Sequence, residues 1–150
     1  MSEEKVIFRF IDIRIMTKNL NPIGNENPTD FNYTIQAGIR IHSEKEAIII
    51  EVIASITNVT KTYIFAEFNV WCVFHINDFN NKIIKNAEGF FVIPAELELT
   101  LKPVSISTTR GIIYKELAGT YLQQAIMPVV FMNDFRVEES QNSLLENILE

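Results

Sequence analysis

The sequence has few of the residues on which metal sites and many catalytic sites depend. Its 150 residues include one cysteine, Cys72, and two histidines, His42 and His75. A single cysteine cannot form an intrachain disulfide, which is typical of a reducing compartment. The histidines lie on different predicted strands, which favours structural roles over metal binding. The five glycines are scattered, so there is no glycine-rich phosphate-binding loop, and we expect no metal and no cofactor.

Basic residues are also scarce and unclustered. Thirteen Lys and Arg residues against nineteen Asp and Glu residues give a net charge of −6. Nucleic-acid binding needs a basic patch, so we expect no nucleic-acid partner. The first ten residues, MSEEKVIFRF, carry acids where a signal peptide carries bases, and no apolar run reaches membrane-spanning length. We therefore expect a soluble, cytoplasmic protein that does not contact membranes.

What the sequence does have is enough apolar residues, 47%, for one folded domain over residues 1–150. Alternating apolar and polar residues predict four strands. These are Val6–Met16, Phe31–His42, Ala47–Thr57 and Tyr63–Ile76. The short connection at Ser43–Lys45 predicts an antiparallel hairpin. In the first strand, the odd positions Ile7, Ile11, Ile13 and Ile15 predict one apolar face.

A long helical pattern begins at about Pro94, and Gly119 is its expected end. Pro103 lies inside it and predicts a kink or a division of the helix. Two apolar stripes follow the helix. The first contains Leu97, Leu101, Val104, Thr108 and Ile112; the second contains Leu99, Ile106, Ile113 and Leu117. A helix with two apolar sides is buried on both, so we interpret the second stripe as an oligomer interface.

A last amphipathic helix is predicted from about Ser140 to Leu149, where Ser143 and Glu146 have capping-box spacing. The predicted fold class is therefore α+β. It consists of a four-stranded antiparallel sheet covered by a long helix and a short C-terminal helix.

The sequence contains no catalytic signature. Ser105, Ser107, Thr108 and Thr109 lie in the helix without a GxSxG motif, which favours packing and hydrogen bonding to the preceding turn. The carboxylates Glu51 and Glu67 lie on neighbouring strands. On a solvated sheet face they favour a solvated pair, or an acidic patch for a protein partner, over general acid–base catalysis. We expect a protein that is not an enzyme.

The fourth strand carries bulky apolar residues on its second face. Tyr63, Phe65, Trp71 and Val73 share this face with polar residues. Such residues favour either burial, in the core or against another subunit, or a groove for extended apolar peptides. The sequence leaves both interpretations open.

Four segments, in this order, resemble the SecB family of export chaperones. They are RIMTKN (Arg14–Asn19), AIIIEV (Ala47–Val52), STTRGIIYKELAGT (Ser107–Thr120) and AIMPVVFMNDF (Ala125–Phe135). The third is similar to the divergent SecB-like branch of the family. The resemblance extends from about Arg9 to Phe135 and covers most of the chain.

The resemblance implies an ATP-independent holdase that assembles as a homotetramer, a dimer of dimers. Its clients would be unfolded preproteins or an antitoxin, bound in apolar grooves between the sheet, the helix and the extended segment after the helix. The candidate client-binding residues are then the apolar second face of the fourth strand and the apolar residues of the segment Ala125–Phe135. These are Tyr63, Phe65, Trp71, Val73, Ile126, Val129, Phe131 and Phe135.

Family members that deliver clients to the SecA motor use acidic residues on the sheet face. Glu51 matches one such position and forms the predicted acidic patch with Glu67, but Asn19 and Ile23 stand where two further acids are expected. Delivery to SecA and protection of an antitoxin in a toxin–antitoxin system therefore both stay open. The alternative function is a non-catalytic adaptor that binds one specific folded partner.

Overall fold

The computed structural model describes residues 5–22 and 30–130. Four long strands form one antiparallel sheet in the order β1-β4-β3-β2. They are β1 (Phe8–Leu20), β2 (Asn32–His42), β3 (Ala47–Thr57) and β4 (Ile64–Ile76). The predicted four-stranded antiparallel sheet is thus confirmed, and β3 has the predicted bounds.

The β2–β3 hairpin turns through a 3-10 segment at Ser43–Lys45, and Glu46 takes a positive φ of 53°. The register pairs Ala37 with Val52 and Ile39 with Ile50, so the odd residues of β2 and the even residues of β3 share one face. A short helix α1 (Phe79–Lys82) and a small hairpin of β5 (Ile84–Lys85) and β6 (Phe91–Val92) follow β4. Phe79 and Ile83 anchor this region in the core.

The predicted face of β1 is wrong because the strand contains two irregularities. The pairing with β4 skips one residue between Phe10 and Asp12 and another between Ile15 and Thr17. Each such bulge reverses the side on which the following residues lie. Phe8 and Phe10 precede the first bulge and pack toward the core, while Ile7 is exposed. Ile13 and Ile15 follow that bulge and pair with Cys72 and Val70, so they lie on the same side as Phe8 and Phe10.

The long helix α2 (Ala95–Leu117) packs on the face formed by the even residues of β3 and β4. It is not divided at Pro103. Its Ser and Thr hydroxyls donate to carbonyls one turn earlier, as for Ser105 Oγ to Leu101 O and Thr109 Oγ1 to Ser105 O, both at 2.8 Å. Ser105 and Thr109 are thus buried and hydrogen-bonded to the preceding turn as predicted, whereas Ser107 is exposed.

The two predicted stripes of α2 are in fact one buried row that takes members from both. Its residues recur at every fourth position: Leu97, Leu101, Ser105, Thr109, Ile113 and Leu117. A row with a spacing of four drifts by about 40° per step around a helix of 3.6 residues per turn. A single contact surface that winds around the helix therefore explains what the sequence presented as two faces.

Helix α2 ends at Leu117, and Gly119, the predicted stop, follows two residues later. Gly119 has a φ of +79°, and Thr120 N donates to Leu117 O at 3.0 Å to close the turn. The following segment, residues 118–130, crosses the end of the sheet, where the Tyr121 hydroxyl donates to Asn21 O and the Tyr33 hydroxyl donates to Ala125 O. We call residues 118–130 the tail.

The core lies between the sheet and the layer formed by α2, the α1 region and the tail. Leu122, Ala125 and Met127 of the tail are buried in it. The predicted C-terminal helix at Ser140–Leu149 lies outside the described residues. Within residues 5–22 and 30–130, no helix is long and apolar enough to cross a membrane.

Candidate functional site

The structure separates the residues that the sequence placed on one face of β4. The β3–β4 register shifts where Ile56 pairs with Ala66 and Thr57 pairs with Ile64, which leaves Phe65 as an extra residue. This bulge turns Phe65 into the core, where it is 1% exposed. Tyr63 packs on the same side, with its ring 5.2 Å from that of Phe65.

Trp71 and Val73 point to the opposite face of the sheet. With Ala47 and Ile49 they form a second, smaller apolar cluster, in which Trp71 is only 4% exposed. The guanidinium carbon of Arg40 lies 4.9 Å from the centre of the Trp71 ring. The four predicted residues of β4 therefore belong to two different surfaces.

Glu51 is held inside a polar network on this second face. Arg40 Nη2 donates to Glu51 Oε1 and Oε2 at 3.0 and 3.2 Å, Trp71 Nε1 donates to Oε2 at 2.9 Å, and Asn69 Nδ2 donates to Oε2 at 3.1 Å. Burial acts to raise the pKa of Glu51, but these hydrogen bonds and the charge of Arg40 outweigh burial and lower it. The carboxylate is therefore ionised and internally satisfied.

The network leaves some of its own atoms without partners. Arg40 Nε, Arg40 Nη1 and Asn69 Oδ1 are buried and make no hydrogen bond with any group in the described part of the chain. Each buried polar group without a partner costs free energy. A substitution that removes a further hydrogen bond from this network therefore adds to a cost that is already present.

Glu51 and Glu67 do not come together as an acidic patch. Glu51 pairs with Trp71 and Glu67 pairs with Ser55, so four residues of strand separate them, or about 13 Å at 3.3 Å per residue. Since the Glu51 carboxylate is also occupied by Arg40, it presents little free negative charge to a partner.

The predicted oligomer interface on α2 is mostly internal. Ile106, Ile113 and Leu117 are buried against this chain's own sheet, while Leu99 is exposed. The physical reason is that the winding buried row uses Ile113 and Leu117 for the intrachain core, and Ile106 is buried next to that row. Only Leu99 of the predicted set offers surface to a second subunit.

The exposed apolar surface lies instead along the edge strand β1. Ile11, Ile13, Ile15, Met16 and Leu20 are each between 44% and 48% exposed. On the helix-facing side, Ile13 and Ile15 lie beside Lys18, whose Nζ is 2.7 Å from Glu116 Oε2 of α2. Among residues 5–22 and 30–130, no strand pairs with the outer side of β1, and a long, apolar edge of this kind is a surface to which another chain can pair.

The tail and α2 border a shallow groove of about 370 Å³. It is lined by Ser107, Arg110, Gly111, Tyr114 and Ile126. The two large apolar side chains that line the groove are exposed, Ile126 by 57% and Tyr114 by 63%. Val129, three residues after Ile126 in the tail, is 61% exposed. Of the predicted client-binding residues, Ile126 thus lines a groove, and Val129 is exposed beside it in sequence.

Sequence reasoning missed the helix side of this groove. Ser107, Arg110, Gly111 and Tyr114 stand at i, i+3, i+4 and i+7, which places them on one side of a helix. The signal was present in Gly111, a glycine in the middle of a helical pattern, with Tyr114 three residues later. Phe131 and Phe135, the remaining predicted client-binding residues, lie outside the described residues.

No cluster of three or more metal-ligating side chains is found in residues 5–22 and 30–130. Cys72 is buried beneath α2, where burial raises the pKa of its thiol, and Sγ lies 4.0 Å from Ser105 O. In the described part of the chain, the groove and the β1 edge both present exposed apolar side chains for contact with other chains.

The sequence matches no protein-family model and no curated protein. The structure is similar to that of the Mycobacterium tuberculosis SecB-like chaperone in complex with a ChAD peptide from the HigA1 antitoxin, with a TM-score of 0.53. The match covers 82% of this chain and 90% of that chain at 11% sequence identity. At this identity the likeness concerns the fold, and the four-stranded antiparallel sheet with its long helix is the SecB-like fold.

Proposed function

We propose that this protein is a non-enzymatic, ATP-independent holdase that binds extended segments of unfolded polypeptides in the groove between α2 and the tail. The observation that carries the proposal is the exposed apolar lining of that groove. Tyr114 and Ile126, which line the groove, are 63% and 57% exposed, and Val129, three residues after Ile126, is 61% exposed. Exposed apolar side chains around a concave surface are typical of sites that bind other chains.

The structural neighbour supports the same function, because that SecB-like chaperone is in complex with a peptide. We propose an unfolded preprotein or an antitoxin as the client and the cytoplasm as the location. The pairing of Glu51 with Arg40, and its distance from Glu67 along the sheet, favour holding over delivery to SecA.

We further propose that the protein assembles with copies of itself through β1. The apolar residues of this edge, with Ile13 and Ile15 at 45% exposure each, would be covered by a second copy. This contact replaces the α2 stripe as the candidate interface.

The test is an aggregation assay with a reduced, unfolding substrate followed by light scattering. The wild-type protein is expected to suppress aggregation at a near-stoichiometric ratio. Ile126→Asp is expected to weaken client binding by about tenfold, because about 1.4 kcal/mol of apolar contact corresponds to that factor.

Ile84→Asp is the matched control. Ile84 and Ile126 are both 57% exposed, but Ile84 lies on the β5–β6 hairpin, outside the groove lining. Equal loss in both variants would point to non-specific apolar binding, and an unchanged scattering trace with wild-type protein would remove the holdase function altogether.

A further inference from the structure

The groove contains a glycine that the fold itself does not require. Gly111 lies in the interior of α2, where glycine is less favourable than alanine. Its φ is not positive, and a Cβ added at this position would meet no atom of the described residues within 4 Å. Neither the backbone conformation nor packing among these residues therefore explains the glycine.

What the missing side chain provides is room at the floor of the groove. Gly111 is exposed between Ser107, one turn earlier, and Tyr114. Glycine allows a ligand to approach the backbone closely. The resulting notch is bordered by the Tyr114 ring and the Ile126 side chain, so it suits a bulky apolar side chain.

The same groove contains a cation to which the described residues, 5–22 and 30–130, supply no counter-ion. Arg110 is half-buried beside the notch and makes no hydrogen bond or ion pair within the described part of the chain. In a protein with a net charge of −6, acidic clients are repelled by the molecule as a whole. A local guanidinium offsets that repulsion for an acid placed next to it.

From this geometry we propose that the groove is selective, and that Gly111 and Arg110 set the selectivity. The preferred occupant is an extended segment of another polypeptide in which a bulky apolar side chain stands beside an acidic residue. The apolar side chain enters the notch over Gly111, and the acid meets Arg110. This inference rests on the proposed holdase function and specifies its client.

The experiment uses the full chain and three short fluorescein-labelled peptides of Ser, Gly and Leu. One peptide contains a Trp-Asp pair, the second has Ala in place of Trp, and the third has Lys in place of Asp. Binding is followed by fluorescence anisotropy. The wild-type protein is expected to prefer the Trp-Asp peptide over the Lys peptide by about two- to fivefold, the factor that an exposed ion pair gives.

Gly111→Ala distinguishes an effect on binding from an effect on folding, because it is expected to stabilise the fold and at the same time to weaken binding. It is expected to raise the Tm by about 2–4 °C, since alanine is the better helix former, and to weaken binding of the Trp-Asp peptide. Gly111→Leu fills the notch and is expected to weaken this binding by about tenfold. Thr100→Leu is the control, because it places a leucine at an exposed position on the same line of α2, about 16 Å away and outside the groove.

Arg110→Gln is expected to abolish the preference for Asp over Lys, and Arg110→Lys to keep it. Three results would overturn the proposal. The first is that Gly111→Leu binds the Trp-Asp peptide as tightly as wild type while aggregation is still suppressed, which leaves the holdase function intact. The second is that Gly111→Leu instead lowers the molecular mass in sedimentation, which assigns the groove to a contact between copies. The third is that no peptide and no unfolded protein binds, which removes the proposed function as well.

Discussion

Glu51→Gln is the substitution that most sharply separates a structural acid from an acid that recruits a partner. Glutamine keeps the shape of the side chain but loses its charge. The amide NH₂ of glutamine also places a donor where the carboxylate has an acceptor oxygen. The groups around it, Arg40, Trp71 and Asn69, are themselves donors, so one of their hydrogen bonds is lost. Arg40 would then keep its positive charge in a site where its side chain is only 13% exposed.

The expected loss of stability follows from this geometry. Removing one partner of a buried ion pair costs about 3–5 kcal/mol. Glu51 is 15% exposed and Arg40 13%, so some solvent reaches both, and we expect the lower end, about 3 kcal/mol. For a chain of 150 residues this corresponds to a decrease in Tm of about 6–12 °C.

The pH dependence has a definite sign. The pKa of Glu51 is lower in the folded state than its ordinary value of about 4.3. Its contribution to stability is therefore fully present above that value, and it is lost as the pH falls through the folded-state pKa. The difference in the free energy of unfolding between wild type and Glu51→Gln should thus be largest near neutral pH and shrink below about pH 4.

Urea unfolding followed by circular dichroism at several pH values measures both quantities. Glu67→Gln is the control, because Glu67 makes no hydrogen bond or ion pair within residues 5–22 and 30–130, and a surface change of this kind alters stability by less than about 0.5 kcal/mol. If Glu51→Gln lowered the free energy of unfolding no more than this control does, the Glu51 network would not stabilise the fold. The same conclusion would follow if the difference between wild type and Glu51→Gln grew toward acid pH.

Three further substitutions or measurements test other parts of the structure. Phe65→Ala should lower the free energy of unfolding by about 3–5 kcal/mol in urea titrations, because Phe65 is a buried core residue; a loss below about 1 kcal/mol would place it on the surface. The Cys72 thiol should react with a thiol reagent only as fast as the protein unfolds, since burial raises its pKa and excludes the reagent; rapid reaction of the native protein would contradict the buried position. Ile13→Asp combined with Ile15→Asp should lower the molecular mass in sedimentation while leaving the Tm nearly unchanged, because both residues are exposed in one chain; an unchanged mass for an assembled wild type would place the interface elsewhere.

The sheet was predictable from the sequence wherever one face is polar and the other is apolar. β2 and β3 alternate without interruption, so the sequence predicts their bounds, faces and antiparallel pairing. β1 and the start of β4 could not be predicted in the same way. Extra residues in their pairing reverse the faces, and nothing in the alternation of Ile11 or Phe65 with their neighbours shows where such a bulge lies.

The helix was predictable in position and length but not in its buried surface. Small polar residues, Ser105 and Thr109, complete the buried row, and a hydrophobicity pattern does not count them as core. The roles of the acids were equally hidden, because Glu51 meets Arg40 only through the cross-strand register. The groove depends on the path of the tail over α2, which is a long-range contact that no local pattern specifies.

The most direct test of the account is to observe where an unfolded client touches the protein. Methyl-labelled isoleucine and valine spectra, recorded while a reduced and carboxymethylated protein is added, report on both surfaces at once. We predict that the resonances of Ile126 and Val129 shift at low client concentrations, while those of Ile49 and Val73, on the opposite face of the sheet, do not. Shifts confined to Ile49 and Val73 would contradict the account and move the client site to the other face.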